Sequence, residues 1–378
     1  MSIQVRSDSL RRAALLVPLA LCAVLPAVAR AEPEHKPGPA PGSFTIENFQ
    51  LESGATIPRA IVVYGTYGTL SAAKDNAVLL PSHYMAQSDG YDWLIGDGRA
   101  LDPKKHFLIM TELFGNGRSS SPSNTPQPLH GPRFPLTTIR DNVEAVRRLL
   151  EDGLGIHHVK AVVGFSMGAE QAFQWAVSHP KFADKIVATA GTARCWPHGI
   201  VRLESQIRAL TADPAFKGGD YTEQPVRGIE ATGAVWLAWL YSQEWWKREL
   251  WKTTDPAAAA MTLEQYTDKQ IKEFFAGNDA NDLILQMRTW QTHDVGTTPG
   301  FGGSTEKALR SISAAVLYMP SETDLYFPLG DARQESKWIR KVTLAPIPSL
   351  WGHPAGVAAG PEDLAFIDRK LRAFLAAP

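Results

Sequence analysis

The segment Gly164-Phe165-Ser166-Met167-Gly168 holds a serine between two glycines, directly after an apolar run (159–163) and directly before a stretch rich in Ala, Gln and Trp. A serine so placed sits on a tight strand–turn–helix junction, where a Cβ at Gly164 or Gly168 would crowd the helix against the strand. The turn presents Ser166 at a helix N-terminus, where the Met167 amide and the helix dipole favour a developing negative charge. That arrangement suits nucleophilic attack on a carbonyl. Serine alone is a weak nucleophile, so the reading requires a base and an acid that orients it.

The acid and base are sought further along the chain, in the order serine, acid, histidine. Asp324 lies in "YMPSETDLYFP", just past the strand-like run 314–320, where ligand-facing loops of a parallel sheet emerge. Its competitors are Glu322, early in the same loop, Asp331, which opens the next helix, and Asp294, which lies among the inserted helices described below. His353 in "PSLWGHPAG" follows the last strand-like run and precedes the last helix, between Gly352 and Gly356. A loop histidine is ordinarily just solvated; its place 29 residues after Asp324 argues for the base. His179, His293 and the pair His157–His158 read as surface residues. A second oxyanion donor is expected from the loop 81–87, "PSHYMAQ", in which His83 reads as pocket lining rather than as a second base.

These residues need elements to position them. Strand-like runs occupy 60–68, 76–84, 106–115, 159–166, 185–192, 314–320 and 341–348. Helical patterns at 138–155 and 361–377 carry apolar residues at helical spacing. Continuous apolar strands alternating with helices predict a mostly parallel sheet covered on both faces, an α/β fold. Residues 196–310 break the rhythm, and 234–251 holds five tryptophans. This region reads as a helical lid inserted into a core formed by 44–195 and 311–378.

The chain has 378 residues, 44% hydrophobic and 20% charged, with a formal net charge of −1. Such a composition suits a globular protein with a sizeable core and gives no footing for a nucleic-acid partner. Arg6, Arg11 and Arg12 precede the apolar run 13–29, and "ARA" ends before Glu32, which reads as a cleaved export signal over 1–31 rather than a stable membrane anchor. The expected location is periplasmic or secreted. The Pro/Gly-rich segment 32–43 reads as a linker, with ordered structure from Phe44. Once the signal is removed Cys195 is the one remaining cysteine, so neither a disulfide within the chain nor a cysteine-based metal site is expected.

Several segments taken in order, "YGTYGTLSAAKDNAVLL", "FGNGRSSSPSN", "RFPLTTIRDNVEAVRRLLEDGLGI", "GFSMGAEQAFQWAVSHP" and "NDANDLIL" among them, resemble the homoserine O-acetyltransferase family of the α/β-hydrolase fold. The resemblance runs from about residue 60 to the C-terminus. It implies that Ser166, Asp324 and His353 are nucleophile, acid and base, that the amides of Met167 and Tyr84 bind the oxyanion, and that a homodimer forms through the lid. Three departures bear on function. Pro354 stands where the family has an aspartate after the histidine, and the stretch "GIEATGAVWLAWLYS" lacks the family's arginine, with Gly233 as its equivalent. The glycine-rich loop is altered to "GNGRSSSPS". A zwitterionic amino acid buried without charged partners would cost several kcal/mol. Trp236, Trp239, Trp245 and Trp246 instead offer an aromatic pocket.

The expectation is therefore an exported serine hydrolase that cleaves an ester, amide or lactone of an apolar or aromatic small molecule, without metal or organic cofactor. The alternatives are an O-acyltransferase of the same fold and a non-catalytic binding protein on a hydrolase scaffold.

Overall fold

The computed structural model describes residues 38–254 and 256–377. The expected export signal over 1–31 and the first part of the linker lie outside the described residues. Eight strands form one sheet in the order β1-β2-β4-β3-β5-β6-β7-β8. They are β1 (Ala40–Gln50), β2 (Thr56–Tyr67), β3 (Ala77–Pro81), β4 (Phe107–Thr111), β5 (Val159–Phe165), β6 (Ala183–Thr189), β7 (Ala315–Met319) and β8 (Val342–Leu344). β2 runs antiparallel to both β1 and β4, and the remaining pairs are parallel.

Alternation along the central strands feeds two cores. Ala77, Leu79 and Val162 face one side, where α1 (Ile139–Arg148) and α2 (Met167–Ser178) cover the sheet. Val78, Leu80, Ala161 and Val163 face the other, against Tyr91, Leu94 and the C-terminal helix Asp363–Ala376. The strands read as continuous apolar runs because both faces are dry.

Two readings of the sequence need correction. The chain is already a strand at Ala40, so the expected linker 32–43 overlaps β1, a strand the apolar pattern did not reveal. β1 occupies the sheet edge, where Pro41 is tolerated, and the Tyr64 ring packs over Gly42, where a Cβ would displace it. The helix expected over 138–155 ends at Arg148 and passes into a π-helical turn, Leu149–Gly153. Its start is fixed by a capping box between Thr138 and Asp141.

Between β6 and β7 the chain builds α3 (Pro197–Thr211), α4 (Val226–Leu240), α5 (Gln243–Lys247), α6 (Leu263–Phe275), α7 (Ala280–Gln291) and α8 (Thr305–Ser311). Most of these helices share a third core, rich in aromatic rings, which includes Tyr84, Met167 and Tyr326 beside Trp236 and Trp290. The inserted helices are thus welded to the strand ends that carry the serine. Among the described residues no helix is long and apolar enough to cross a membrane.

Candidate active site

Ser166 follows β5 directly and caps α2 with φ 55° and ψ −125°, a conformation that costs a non-glycine residue about 1–3 kcal/mol. The neighbours enforce it. A Cβ on Gly164 would lie 2.0 Å from the Gly168 carbonyl oxygen, and one on Gly168 would lie 2.3 Å from that of Pro81. The Tyr91 hydroxyl fastens the ends of two strands, donating to the Pro81 carbonyl at 2.7 Å and accepting from the Phe165 N–H at 2.9 Å.

His353 and Asp324 arrive from separate loops and meet this serine. Ser166 Oγ lies 3.0 Å from His353 Nε2, and His353 Nδ1 lies 2.8 Å from Asp324 Oδ2. A carboxylate can only accept, so Nδ1 carries the ring proton and Nε2 is left to accept from the serine hydroxyl. The other carboxylate oxygen accepts the backbone N–H groups of Tyr326 (2.7 Å) and Phe327 (3.1 Å), which fixes the plane of Asp324. Thr323 Oγ1 ties the two loops together, donating to the Ser349 carbonyl and accepting from Gly352 N–H. All three side chains are buried.

The competitors fall elsewhere. Glu322 is exposed, Asp331 lies in the first turn of helix α9 (Leu329–Ser336), and Asp294 accepts from Gly296 N–H and Thr305 Oγ1 and pairs with Arg194. His293, read as a surface residue, is instead 4% exposed, and burial pushes it down to about 3. The reason is its place at the end of α7, where its carbonyl accepts Cys195 N–H inside the core. Cys195 is itself a buried free thiol.

The two residues expected to supply oxyanion donors, Met167 and Tyr84, follow the ends of neighbouring strands. Met167 opens α2, whose first N–H groups have no intrahelical partner. Tyr84 lies in the loop after β3, anchored at Ser82 by hydrogen bonds to Thr111, Leu113 and Gln171. β3 stops at Pro81 instead of running to Tyr84 as the apolar pattern suggested, which frees 82–84 to turn over the serine.

A cavity of about 610 Å³ opens over Ser166 and His353. His83 lines it as expected, edge-on to Phe165 at 4.9 Å; burial, and then the nearby His353, push it down to about 4, so its imidazole is neutral. Trp236 also lines it, but Trp239 does not. Trp239 is 36% exposed and meets His198 on the outside of α4. Trp245 stacks on Tyr241 at 3.7 Å inside the lid core with Trp246 beside it, so both serve packing.

Sequence reasoning missed Trp290, Tyr326 and Phe274 as cavity walls. It also missed Arg202 of α3, which is 3% exposed with its guanidinium 3.9 Å from the Tyr326 ring centre and 4.6 Å from that of Trp290. Tyr326 in turn lies 4.8 Å from the His353 ring. Only the helical spacing of Arg202 and Trp290 with their apolar neighbours hinted at burial. Among the lining residues there is no lysine or arginine. Among the described residues no group of three or more His, Cys, Asp or Glu side chains is placed to hold a metal ion.

Comparison with known proteins bears on the family and the fold. Residues 88–349 match the family described as "alpha/beta hydrolase fold". The ethyl acetate hydrolase of Pseudomonas veronii is 35% identical over 89% of this chain and 97% of its own. The crystal structure of the acetyl esterase MekB superposes with a TM-score of 0.85 at 34% identity, covering 89% of this chain and 97% of that one. The homoserine O-acetyltransferase of Chlorobium chlorochromatii is 28% identical over 82% of this chain and 88% of its own. The chain belongs to the α/β-hydrolase fold family and is an esterase-type enzyme within it.

Proposed function

We propose that this protein is an exported carboxylic-ester hydrolase acting on esters that join a short acyl group to an apolar alcohol or phenol. The observation that carries the reading is the unbroken hydrogen-bonded chain Ser166–His353–Asp324 at the wall of an aromatic cavity. In the first step His353 Nε2 takes the proton of Ser166 Oγ as that oxygen attacks the ester carbonyl. Asp324 holds the imidazole and stabilises its charged form. The N–H groups of Met167 and Tyr84 receive the oxyanion, each worth about 3 kcal/mol in such sites. Collapse breaks the ester C–O bond, the imidazolium gives its proton to the departing alcohol, and the acyl group stays on Ser166. Water, deprotonated by His353, attacks the acyl carbonyl and releases the acid.

The printed names of the relatives, an ethyl acetate hydrolase and an acetyl esterase, support a short acyl group. The N-terminal pattern of 1–31 supports export. Acyl transfer to homoserine is the second reading, since a homoserine O-acetyltransferase is also a relative. Against it stand Pro354 after the histidine and the lack of a cation in the cavity wall to meet an amino-acid carboxylate.

The test is fluorophosphonate labelling beside turnover of short-chain and aryl esters, with and without acetyl-CoA plus homoserine. Labelling and ester cleavage that vanish in Ser166→Ala and His353→Ala, with no acetylhomoserine formed, are the predicted result. Acetylhomoserine formation would transfer the protein to the acyltransferases.

A further inference from the structure

The loop that carries Tyr84 is braced from the lid. Met85 adopts φ 60°, a left-handed conformation that a non-glycine residue rarely holds. Its N–H donates to Gln286 Oε1 at 2.8 Å, a contact spanning 201 residues of sequence. The donor fixes the amide orientation, because an N–H needs the oxygen and not the nitrogen. Gln286 lies on α7 and is 1% exposed. Its stem is seated closely: a Cβ on Gly115 would lie 3.3 Å from Gln286 Cγ and 2.9 Å from Leu285 Cδ2. Gln286 Nε2 has no hydrogen-bond partner among the described residues, and the side chain borders a polar cleft of about 410 Å³ that shares Met85, Gln87 and Asn278 with the main cavity.

We propose that Gln286 is a positioning residue for the oxyanion-binding amide of Tyr84, so that the lid completes the active site through one hydrogen bond. The inference rests on the hydrolase reading above. Gln286 grips the peptide between Tyr84 and Met85, next to the peptide that carries the Tyr84 N–H, and so holds Tyr84 from its C-terminal side. Upstream the loop is anchored at Ser82, and downstream Asn116 Nδ2 donates to the Ala86 carbonyl. Between those points the Gln286 contact opposes relaxation of the left-handed residue. Without it, the part-buried Met85 N–H loses its partner and the strain at Met85 is no longer offset. The Tyr84 N–H then loses its aim at the position of the oxyanion.

The proposal is tested with Gln286→Met, which keeps the volume and deletes the acceptor. The expected result is a fall in kcat of roughly 10–100-fold, less than loss of a whole donor, with KM within about twofold. Affinity for a trifluoromethyl ketone, whose serine-bound hemiketal carries the tetrahedral oxyanion, should fall by the same factor as kcat/KM. A merely structural brace would lower the melting temperature but leave analogue affinity and substrate affinity to change together. Gln286→Asn, which withdraws the amide by one methylene, repeats the measurement if the first variant does not fold. Wild-type kcat and analogue affinity in a folded variant would overturn the proposal. Fluorophosphonate labelling of the unaltered protein separates the two failures: labelled Ser166 with an indifferent Gln286 sinks only this inference, and an unlabelled Ser166 sinks the hydrolase reading itself.

Discussion

Ser166 is held in its strained conformation by contacts on every side: its N–H donates to Thr189, Gly191 leaves no room for a Cβ beside its carbonyl, and its hydroxyl meets His353. Such strain persists only where the surroundings over-determine it, and here it aims Oγ into the cavity. The companion acid is equally constrained. Asp324→Asn keeps the size of the side chain but presents an amide N–H2 or a single acceptor to His353, favouring the wrong tautomer. Steady-state kinetics should show kcat lower by about 10³–10⁴-fold with the fold retained by circular dichroism. An unchanged kcat would mean that Asp324 does not orient the base. At this scale the triad positions were legible because strand ends and loop order restrict where an acid and a base can meet a serine. The pocket was not. Trp236 and Trp239 lie about 60° apart around one helix. Which of them faces the cavity depends on how α4 is rotated against the core, and no local pattern encodes that rotation.

Among the elements, the β5–α2 junction tolerates the least. Gly164→Ala would drive a methyl group into the Gly168 carbonyl, backbone against backbone, and should cost about 3 kcal/mol or more. Gly330 in α9 offers the opposite case, since nothing lies within 4 Å of a Cβ there. Gly330→Ala should stabilise by about 0.4–1 kcal/mol, chiefly by stiffening the unfolded chain. Urea unfolding of both variants checks the pair, and equal midpoints would contradict the packing account. The buried strands were legible because both their faces are apolar. β1 was hidden because an edge strand buries little: its pattern "SFTIENFQ" has charge and proline around it, and only pairing with β2 reveals it. The lid helices announced themselves by breaking the strand–helix rhythm. Their docking, including the contact of Gln286 with the loop that carries Tyr84, depends on residues about two hundred positions apart and has no signature in sequence spacing.

For the molecule as a whole, ionisable groups withdrawn from bulk water contribute to the response to acid. His83 and His293 sit in the fold at about 4 and about 3, against 6.5 for a free imidazole. Between those values the unfolded chain binds more protons than the folded one, so their contribution raises stability as pH rises and is lost on acidification from about 6.5 towards 4 for His83 and towards 3 for His293. Glu335, pushed up to about 7 by burial, acts in the opposite sense, because its folded form holds the proton longer. The histidine share is isolated by substitution. In His83→Gln the drop in melting temperature from pH 7 to pH 5 should be smaller than in the unaltered protein. A drop of equal size would mean that His83 takes up its proton without unfolding.

The central claim, that an acyl group passes through Ser166, is tested most directly by trapping it. The protein is mixed with an aryl acetate, quenched in acid within the first turnovers, and mapped by peptide mass spectrometry. An acetyl group on the peptide carrying Ser166, missing in Ser166→Ala along with turnover, is the predicted result. Steady ester cleavage by Ser166→Ala at the rate of the unaltered protein would contradict the account.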